Sequence, residues 1–367
     1  MTMTSANKAR LIAIYLPQFH PIPENDAWWG RGFTEWTNVS KARPLFKGHY
    51  QPHIPADLGF YDLRLPEARE AQADLARAHG IEGFCYYHYW FNGKRLLERP
   101  FNEVLASGKP DFPFCLAWAN ETWSRRWLGE ERDILMEQTY SEDDDYRHAQ
   151  WLLQAFADPR SIRVNGRPLF LIYRPKHLPN PQKTTDILRS VCVKNGIPEP
   201  FLLGIDGHCP NYDCRQIGFD GTMKFEPQLA VLPNFSSDLP SLPKLKENLG
   251  KGIVSTRLKV YDYSDARRLM NQHLPDHPYY PSIMVGWDNT PRRGENGIIV
   301  VDNTPEKFAS GLAELVKVAE QKPFEDRLIF LNAWNEWAEG NHLEPDIKNG
   351  CGYLEKIREV NLEVCKG

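Results

Sequence analysis

Two glutamates, Glu336 and Glu339, are the strongest candidates for chemistry in this chain. They follow an apolar run, Leu328–Leu331, that is typical of a short buried strand. Glycoside hydrolysis uses a pair of carboxyl groups around one bond. One carboxyl group protonates the leaving oxygen, and the other acts as base or nucleophile. The plainer alternative is the start of a helix that carries two solvated acids.

The spacing of the two glutamates imposes a geometric condition. Residues three apart in a strand point to opposite faces, whereas in a helical turn they share a face. Both carboxylates can therefore reach one substrate only if the chain leaves the extended conformation near Trp337. The sequence predicts a turn at this residue.

Length and composition limit the class of protein. The 367 residues suffice for one large barrel or two ordinary domains, and no linker marks a boundary, so we expect a single catalytic domain over residues 1–367. The net charge of -4 offers no attraction for nucleic acid, which we do not expect as a partner. No stretch approaches the roughly 20 apolar residues of a membrane span, so no integral membrane segment is expected.

The cysteines and the first apolar run indicate a compartment. The seven cysteines form no CxxC pair, and their odd number argues against a closed disulfide framework, as in reduced cytosolic proteins. The run Leu11–Leu16 is short for a signal-peptide core and lacks a small-residue cleavage site. We therefore expect a soluble cytoplasmic protein.

Strand-like apolar runs alternate with helix-like segments along the chain. Eight such strands with helical crossovers predict an α/β fold, a parallel (β/α)8 TIM barrel with long βα loops after strands 1 and 6. The second of these loops is expected to add a hairpin or lid through Ile253–Val260. The predicted strands are Leu11–Leu16, Gly83–Tyr87, Phe112–Trp118, Pro168–Tyr173, Phe201–Ile205, Gly221–Phe225, Ser282–Val285 and Leu328–Leu331.

Aromatic, carboxylate and amide side chains gather at the predicted strand ends, where the active site of such a barrel lies. Flat rings beside hydrogen-bonding groups suit a sugar, because a pyranose has an apolar C–H face and a rim of hydroxyls. Any single tryptophan is more often a core residue than a stacking platform, but eight polar strand ends together are hard to attribute to packing. The predicted substrate-binding residues are Tyr15, Gln18, His20, Trp36, Tyr87, His88, Trp90, Trp118, Asn120, Glu121, Trp123, Tyr173, Asp206, Lys224, Trp287, Asp288 and Asn335.

Other chemistries receive less support. Metal binding is the competing use of some of these residues, but no pair among them has HxxxH or HExxH spacing, so neither a metal nor another cofactor is predicted. The chain lacks a GxSxG motif, a P-loop and a GxGxxG turn. The residues considered as metal ligands are His20, His88, His208, Asp206 and Asp288.

Five segments of the chain resemble the WbsX-like proteins of bacterial polysaccharide gene clusters. The resemblance covers nearly the whole chain, and those proteins are similar to glycoside hydrolase family 99, the endo-α-mannosidases and mannanases. The segments are Ile12–His20, Trp29–Thr37, Tyr86–Trp90, Trp118–Trp123 and Trp334–Gly340.

The resemblance implies a (β/α)8 barrel that cleaves α-mannosides with retention and without a metal. In family 99 one carboxylate deprotonates the sugar 2-hydroxyl, which attacks the anomeric carbon to give a 1,2-anhydro sugar, while a second carboxylate serves as acid and then base. The Glu-x-x-Glu pair of that family matches Glu336 as the 2-hydroxyl base and Glu339 as the acid/base.

The expected function is therefore a retaining endo-type glycoside hydrolase whose substrate is a bacterial surface polysaccharide or its lipid-linked precursor. One alternative is a glycosyltransferase or transglycosylase of O-antigen or capsule assembly, a label that WbsX-like proteins often carry. Against it, the sequence shows no nucleotide-sugar fold. The other alternative is a glycan-binding protein with an inactive site, which a separation of the two carboxylates beyond about 10 Å would favour.

Overall fold

Eight parallel strands close into a barrel in the computed structural model, which describes residues 7–125, 130–232 and 258–362. The first strand pairs in parallel with both the second and the last, and these pairings close the ring. The barrel strands are β1 (Arg10–Tyr15), β2 (Gly83–Phe91), β3 (Phe114–Trp118), β4 (Arg167–Ile172), β5 (Phe201–Ile205), β6 (Gly221–Lys224), β7 (Tyr279–Met284) and β8 (Leu328–Asn332).

Helices connect most of the strands and pack on the outside of the barrel. Between β5 and β6 the connection contains a short 3-10 turn, Cys214–Ile217, in place of a crossover helix. The helices are α1 (Pro23–Trp29), α2 (Glu35–Lys41), α3 (Pro66–Ala78), α4 (Arg99–Ser107), α5 (Glu142–Ala157), α6 (Pro181–Lys194), α7 (Tyr263–Asn271), α8 (Thr290–Arg293), α9 (Pro305–Ala319) and α10 (Gly352–Asn361).

The predicted (β/α)8 barrel is confirmed, including the long loops after β1 and β6. The loop after β1 carries α1 and α2 before the crossover helix α3. The hairpin or lid predicted through Ile253–Val260 after β6 is described only at its end and stays a prediction. Its last residues belong to a strand, Lys259–Asp262, that pairs in parallel with Ile298–Val301. Its first part, residues 253–257, lies outside the described residues.

Alternation along the strands divides the core into two layers. Ile12, Leu171 and Phe330 point into the barrel and are fully buried there. Neighbouring residues such as Leu11 and Ile329 point outward and pack with the helices. Since successive side chains of a strand face opposite sides, only every second residue near a strand end can face the mouth of the barrel.

The helices of the described residues were also compared with what a bilayer requires. A spanning helix needs about 20 predominantly apolar residues. Within the three described stretches, none of the helices has the length and apolar character to cross a membrane.

Candidate active site

A tight turn follows β8 and carries both candidate glutamates. Trp337–Glu339 forms a single 3-10 turn that ends at Gly340, whose φ of 57° lies in the left-handed region. The turn brings Glu336 and Glu339 to the same arginine, as the hydrogen bonds below describe. The turn that the spacing requires at Trp337 is therefore present.

Arg292, which lies on α8 after β7, binds both of these glutamates and a third one. Its Nη1 donates to Glu339 Oε1 at 2.6 Å, and its Nη2 donates to Glu336 Oε2 at 3.1 Å. The same Nη2 lies 3.0 Å from Glu35 Oε2. Because one guanidinium holds both carboxylates of the candidate pair, they lie within the roughly 10 Å over which two carboxylates can act on one glycosidic bond.

The third carboxylate, Glu35, is the first residue of α2, in the long loop after β1. A negative charge in the first turn of a helix is favoured by the helix dipole. Glu35 is fully buried, and its Oε1 accepts a hydrogen bond from Gln18 Nε2 at 3.0 Å. This loop thereby supplies a fixed charge that faces the turn after β8.

The electrostatics of this cluster favour a bound proton. Burial raises the pKa of Glu336 to about 8, assisted by the charges of Glu339 and Glu35 and opposed by Arg292. Burial also raises the pKa of Glu339, again against the effect of Arg292. The raised pKa values of this pair favour a bound proton on it at neutral pH.

An open cavity of about 1140 Å³, counting its mouth, lies over the cluster. Seven aromatic rings line it beside the carboxylates, which is the combination that suits the two faces of a sugar ring. The seven aromatic residues are Trp29, Tyr87, Tyr89, Trp123, Tyr173, Phe225 and Trp287.

Part of the predicted site lies at this cavity. One of these residues, Glu121, accepts a hydrogen bond from Arg174 Nε at 2.6 Å and is thereby held at the rim. The predicted residues that line the cavity are Gln18, Tyr87, Glu121, Trp123, Tyr173, Trp287, Glu336 and Glu339. Their roles in binding and catalysis stay predictions.

The remaining predicted residues do not line the cavity, and the structure corrects this part of the prediction. Strand alternation explains the error on β2 and β3. His88 and Trp90 point outward to α5, where His88 Nε2 lies 2.9 Å from His148 Nε2 and Trp90 Nε1 donates to Asp144. Trp118 also points away from the cavity, and its Nε1 donates to the backbone oxygen of Trp90.

Four further residues support the site from behind. The Tyr15 hydroxyl donates to Gln72 of α3, and Trp36 Nε1 donates to a backbone oxygen of the loop while its ring packs on Trp337. The two side-chain amides bind backbone instead of ligand. Asn120 accepts from the amide of residue 174 at 2.7 Å, and Asn335 accepts from that of residue 16 at 2.7 Å.

The last four residues are buried polar groups, and three of them have structural partners. Asp206 accepts from the amide of residue 225, and Lys224 Nζ lies 3.3 Å from a carboxylate oxygen of residue 226. Asp288 accepts from the hydroxyl of Thr290, which begins α8 and so helps to present the arginine. His20 is buried, and burial lowers its pKa to about 4.

Several residues of the cavity and of the charged cluster beneath it were missed by the sequence analysis. Tyr89 could have been found, because it lies two residues after Tyr87 and so shares its face of the strand. Glu35 is adjacent to the predicted Trp36 in the same aromatic segment. Arg292 gave no signal beyond its position a few residues after a strand end. The missed residues are Asn25, Trp29, Glu35, Tyr89, Phe225, Arg292 and Asn332.

Solved structures of glycoside hydrolases share this fold. Two structures of the GH99 endo-alpha-mannosidase from Bacteroides thetaiotaomicron match 95% of this chain and 95–96% of their own, with TM-scores of 0.54 and 0.56 and 14% identity. A structure described as a glycoside hydrolase-like protein matches with a TM-score of 0.58 and 15% identity, covering 96% of this chain and 94% of its own. At such low identity the likeness shows the common barrel fold.

Relatives by sequence are closer. Proteins named "Uncharacterized protein WxcX" from two strains of Xanthomonas campestris pv. campestris are 44% identical over 366 residues, which is 97% of this chain. The chain spans about half the length of these relatives, 51%. The family model described as "Glycosyltransferase WbsX" matches residues 11–357, so the chain belongs to the WbsX family.

Proposed function

We propose that this protein is a retaining endo-type glycoside hydrolase that acts on a bacterial surface polysaccharide or its precursor, at an α-mannoside-like linkage. The proposal rests on the observation that the guanidinium of Arg292 binds both Glu336 and Glu339 beside a cavity lined by aromatic rings. The barrel shared with GH99 endo-alpha-mannosidases supports this interpretation. The single catalytic domain and the cytoplasmic location stay predictions.

In the proposed first step, Glu336 removes the proton of the sugar 2-hydroxyl. The freed oxygen attacks the anomeric carbon, the bond to the leaving oxygen breaks, and a 1,2-anhydro sugar forms. Glu339 donates its proton to the leaving oxygen at the same time. Burial raises the pKa of Glu339, which favours the protonated form that this transfer needs, whereas the raised pKa of Glu336 means that this group must ionise before it acts as base.

In the second step, water opens the anhydro ring at the anomeric carbon. Glu339, now ionised, takes a proton from the water, and Glu336 returns its proton to the 2-oxygen. Both carboxylates regain their starting states. Two inversions at one carbon give net retention of configuration.

The aromatic lining is proposed to select the sugar. Rings such as Tyr87 and Trp287 can lie against C–H faces, while Gln18 and Glu121 can bind hydroxyls. Endo-type cleavage requires room for a chain that continues on both sides of the bond, and the open cavity supports this part of the proposal.

A glycosyltransferase or transglycosylase remains the second candidate, because the family description names that activity. A transglycosylase would use the same two glutamates and accept a sugar hydroxyl in place of water. A nucleotide-sugar transferase would consume an activated donor, which a hydrolase does not need. A glycan-binding protein without activity is disfavoured by the shared contact of both carboxylates with Arg292.

The first prediction concerns the two glutamates. Glu336→Gln and Glu339→Gln should each lower turnover of α-mannan oligosaccharides by at least about 1000-fold, since each removes a group that carries a proton in the reaction. Release of reducing ends measures turnover, and proton NMR of the first product reports its anomeric configuration. Calorimetry should still detect oligosaccharide binding by both variants.

Glu359→Gln is the matched control, because the Glu359 side chain is 61% exposed on α10, far from the cavity. It should leave turnover unchanged. Full activity in either site variant would refute the proposal. Consumption of a nucleotide sugar in the presence of an acceptor would favour the transferase.

A further inference from the structure

A second group of reactive side chains lies next to the turn after β8, outside the cavity described above. His53, His342 and Asp346 are each buried, and one donor atom of each lies within 4.8 Å of the other two. They border a separate cavity of about 600 Å³. The glutamate chemistry proposed above does not use them.

His342 is oriented as a metal-binding histidine would be. Its Nδ1 lies 2.9 Å from the backbone oxygen of Glu344, which can only accept, so Nδ1 carries the proton. Nε2 therefore presents its lone pair, and it lies 3.8 Å from Asp346 Oδ2. The ring is fixed by stacking on Trp337, with centroids 3.7 Å apart. A hydrogen bond from the far ring nitrogen to a carbonyl is the usual support of a histidine ligand.

Asp346 is oriented in the same direction. Its Oδ1 accepts hydrogen bonds from the amides of Lys348 and Asn349, at 2.9 and 2.6 Å. These bonds fix the carboxylate so that Oδ2 faces His342. On the other side, His53 Nδ1 lies 2.8 Å from His342 Nε2.

The distances are close to those of a tetrahedral site. With bonds of about 2.0–2.1 Å to the metal, donor atoms of tetrahedral Zn²⁺ lie about 3.3 Å apart. The His53–His342 separation of 2.8 Å is shorter and the His342–Asp346 separation of 3.8 Å is longer. Movements of about 0.5 Å in opposite directions would therefore bring both to this spacing.

We propose that His53, His342 and Asp346 bind a divalent transition-metal ion, preferentially Zn²⁺, beside the turn after β8. Two imidazoles and one carboxylate are a ligand set that suits Zn²⁺, with the fourth position open to water. The plainer alternative is a hydrogen bond from His53 Nδ1 to His342 Nε2 without an ion.

Such an ion would join two segments that are far apart in the sequence. His53 belongs to the loop after β1, and His342 and Asp346 follow the turn that carries Glu339. A Cβ atom placed on Gly340 would lie 3.4 Å from His53 Cε1, so the two segments already touch. The ion would hold the turn in place without contacting the reacting atoms.

Metal content tests the proposal directly. Protein that is purified without a chelator and freed of its affinity tag should contain about one Zn²⁺ per chain. Elemental mass spectrometry measures this content. His342→Asn should lose it, and Asp346→Asn should reduce it strongly. His273→Asn, at an exposed histidine on another face, is the matched control and should keep the ion. Co²⁺ added to the stripped protein should give visible absorption that His342→Asn lacks.

The wild-type protein alone also decides the question if the variants do not fold. Zn²⁺ added after chelator treatment should raise its Tm by several degrees, and Mg²⁺ should not. Less than about 0.1 Zn²⁺ per chain together with no rise in Tm would overturn the proposal and leave the histidine pair as a hydrogen bond. Retention of the ion by His342→Asn would also overturn it. None of these measurements requires activity, so failure of the hydrolase proposal would not affect them.

Discussion

Arg292 is the residue on which the candidate site most depends, because one guanidinium compensates the buried carboxylates of Glu35 and Glu336 and the partly buried one of Glu339. The Arg292 side chain is 8% exposed, and that of Glu35 is 0% exposed. Removing one partner of a buried ion pair leaves the other charge uncompensated, and this is strongly unfavourable. The arginine therefore determines where Glu336 and Glu339 lie and how readily they ionise.

We predict that Arg292→Lys and Arg292→Met impair the protein in different ways. Lysine keeps the charge but cannot bind two carboxylates with a planar fork, so kcat/KM should fall about 10- to 100-fold through misplacement. Methionine also removes the charge that lowers the glutamate pKa values, so its pH profile should shift to higher pH. Rates of α-mannan oligosaccharide cleavage across pH measure both effects.

Arg293→Met is the control for these variants, because Arg293 is the next residue and is exposed. It should leave both the rate and the pH profile unchanged. An unshifted profile for Arg292→Met would show that the arginine does not tune the pair.

The pH dependence of the wild-type protein follows from the same cluster. The pKa of Glu336 rises from 4.5 to about 8 through burial and the charges of Glu339 and Glu35. Glu336 is the proposed base and acts only when ionised, and raising the pH towards about 8 ionises it. We therefore expect kcat/KM to rise about tenfold per pH unit until the pH approaches this value. A decline that begins near pH 5 would contradict the assignment.

Sequence reasoning could identify Glu336 and Glu339 but not the groups that control them. Residue type and spacing were enough to suggest a carboxylate pair and the turn that it needs. Glu35 and Arg292 are 257 positions apart, and their contact arises only from tertiary structure. Single-sequence patterns carry no information on such a pairing.

Strand β2 shows where the prediction of elements loses precision. The sequence located the strand but ended it at Tyr87, whereas it continues to Phe91. Residues predicted together in a loop therefore alternate between two faces. Tyr89 lines the cavity, whereas His88 packs against α5.

A substitution at Gly340 tests whether the turn after β8 needs its observed backbone conformation. The φ of Gly340 is 57°, and an added Cβ would meet Asp288 Cβ at 3.0 Å and Asp288 N at 3.2 Å. We expect Gly340→Ala to reduce the free energy of unfolding by about 2 kcal/mol, from the left-handed conformation and this contact together. It should also lower kcat/KM about 10-fold or more by moving Glu339. Chemical denaturation and rate measurements test the two effects.

Gly108→Ala separates backbone strain from the contact. Gly108 ends α4 with a φ of 68°, and nothing lies within 4 Å of its added Cβ. It should lose about 1 kcal/mol of stability and no activity. Equal losses in both variants would mean that the contact with Asp288 is unimportant.

The barrel fold could be predicted because the same pattern, an apolar strand-like run, recurs along the chain. Eight apolar runs at intervals that leave room for helices favour one topology, and small errors at strand ends do not change it. The prediction of which side chains line the cavity was less successful, because a shift of one position along a strand moves a side chain to the opposite face. Trp36 and Glu35 illustrate this point, because adjacent positions of α2 face a packing layer and the charged cluster.

The packed interior should dominate the stability of the molecule. Phe330 of β8 is 0% exposed inside the barrel, so Phe330→Ala should cost about 3–5 kcal/mol through lost burial and a remaining cavity. Phe324→Ala removes the same atoms at a site that is 45% exposed and should cost less than about 1 kcal/mol. Denaturant unfolding of both variants measures the difference, and similar costs would contradict the two-layer description of the core.

The cluster around Arg292 also bears on how the protein is made. At about 5–20 residues per second, the ribosome needs roughly 10–50 s to advance from Glu35 to Arg292, which follows it by 257 positions. Throughout that interval the edge of β1 that will pair with β8 is open, and Glu35 must stay in water. The barrel therefore cannot close until β8 has been synthesised. We expect protection of the open edge of β1 until then to determine the yield of folded protein.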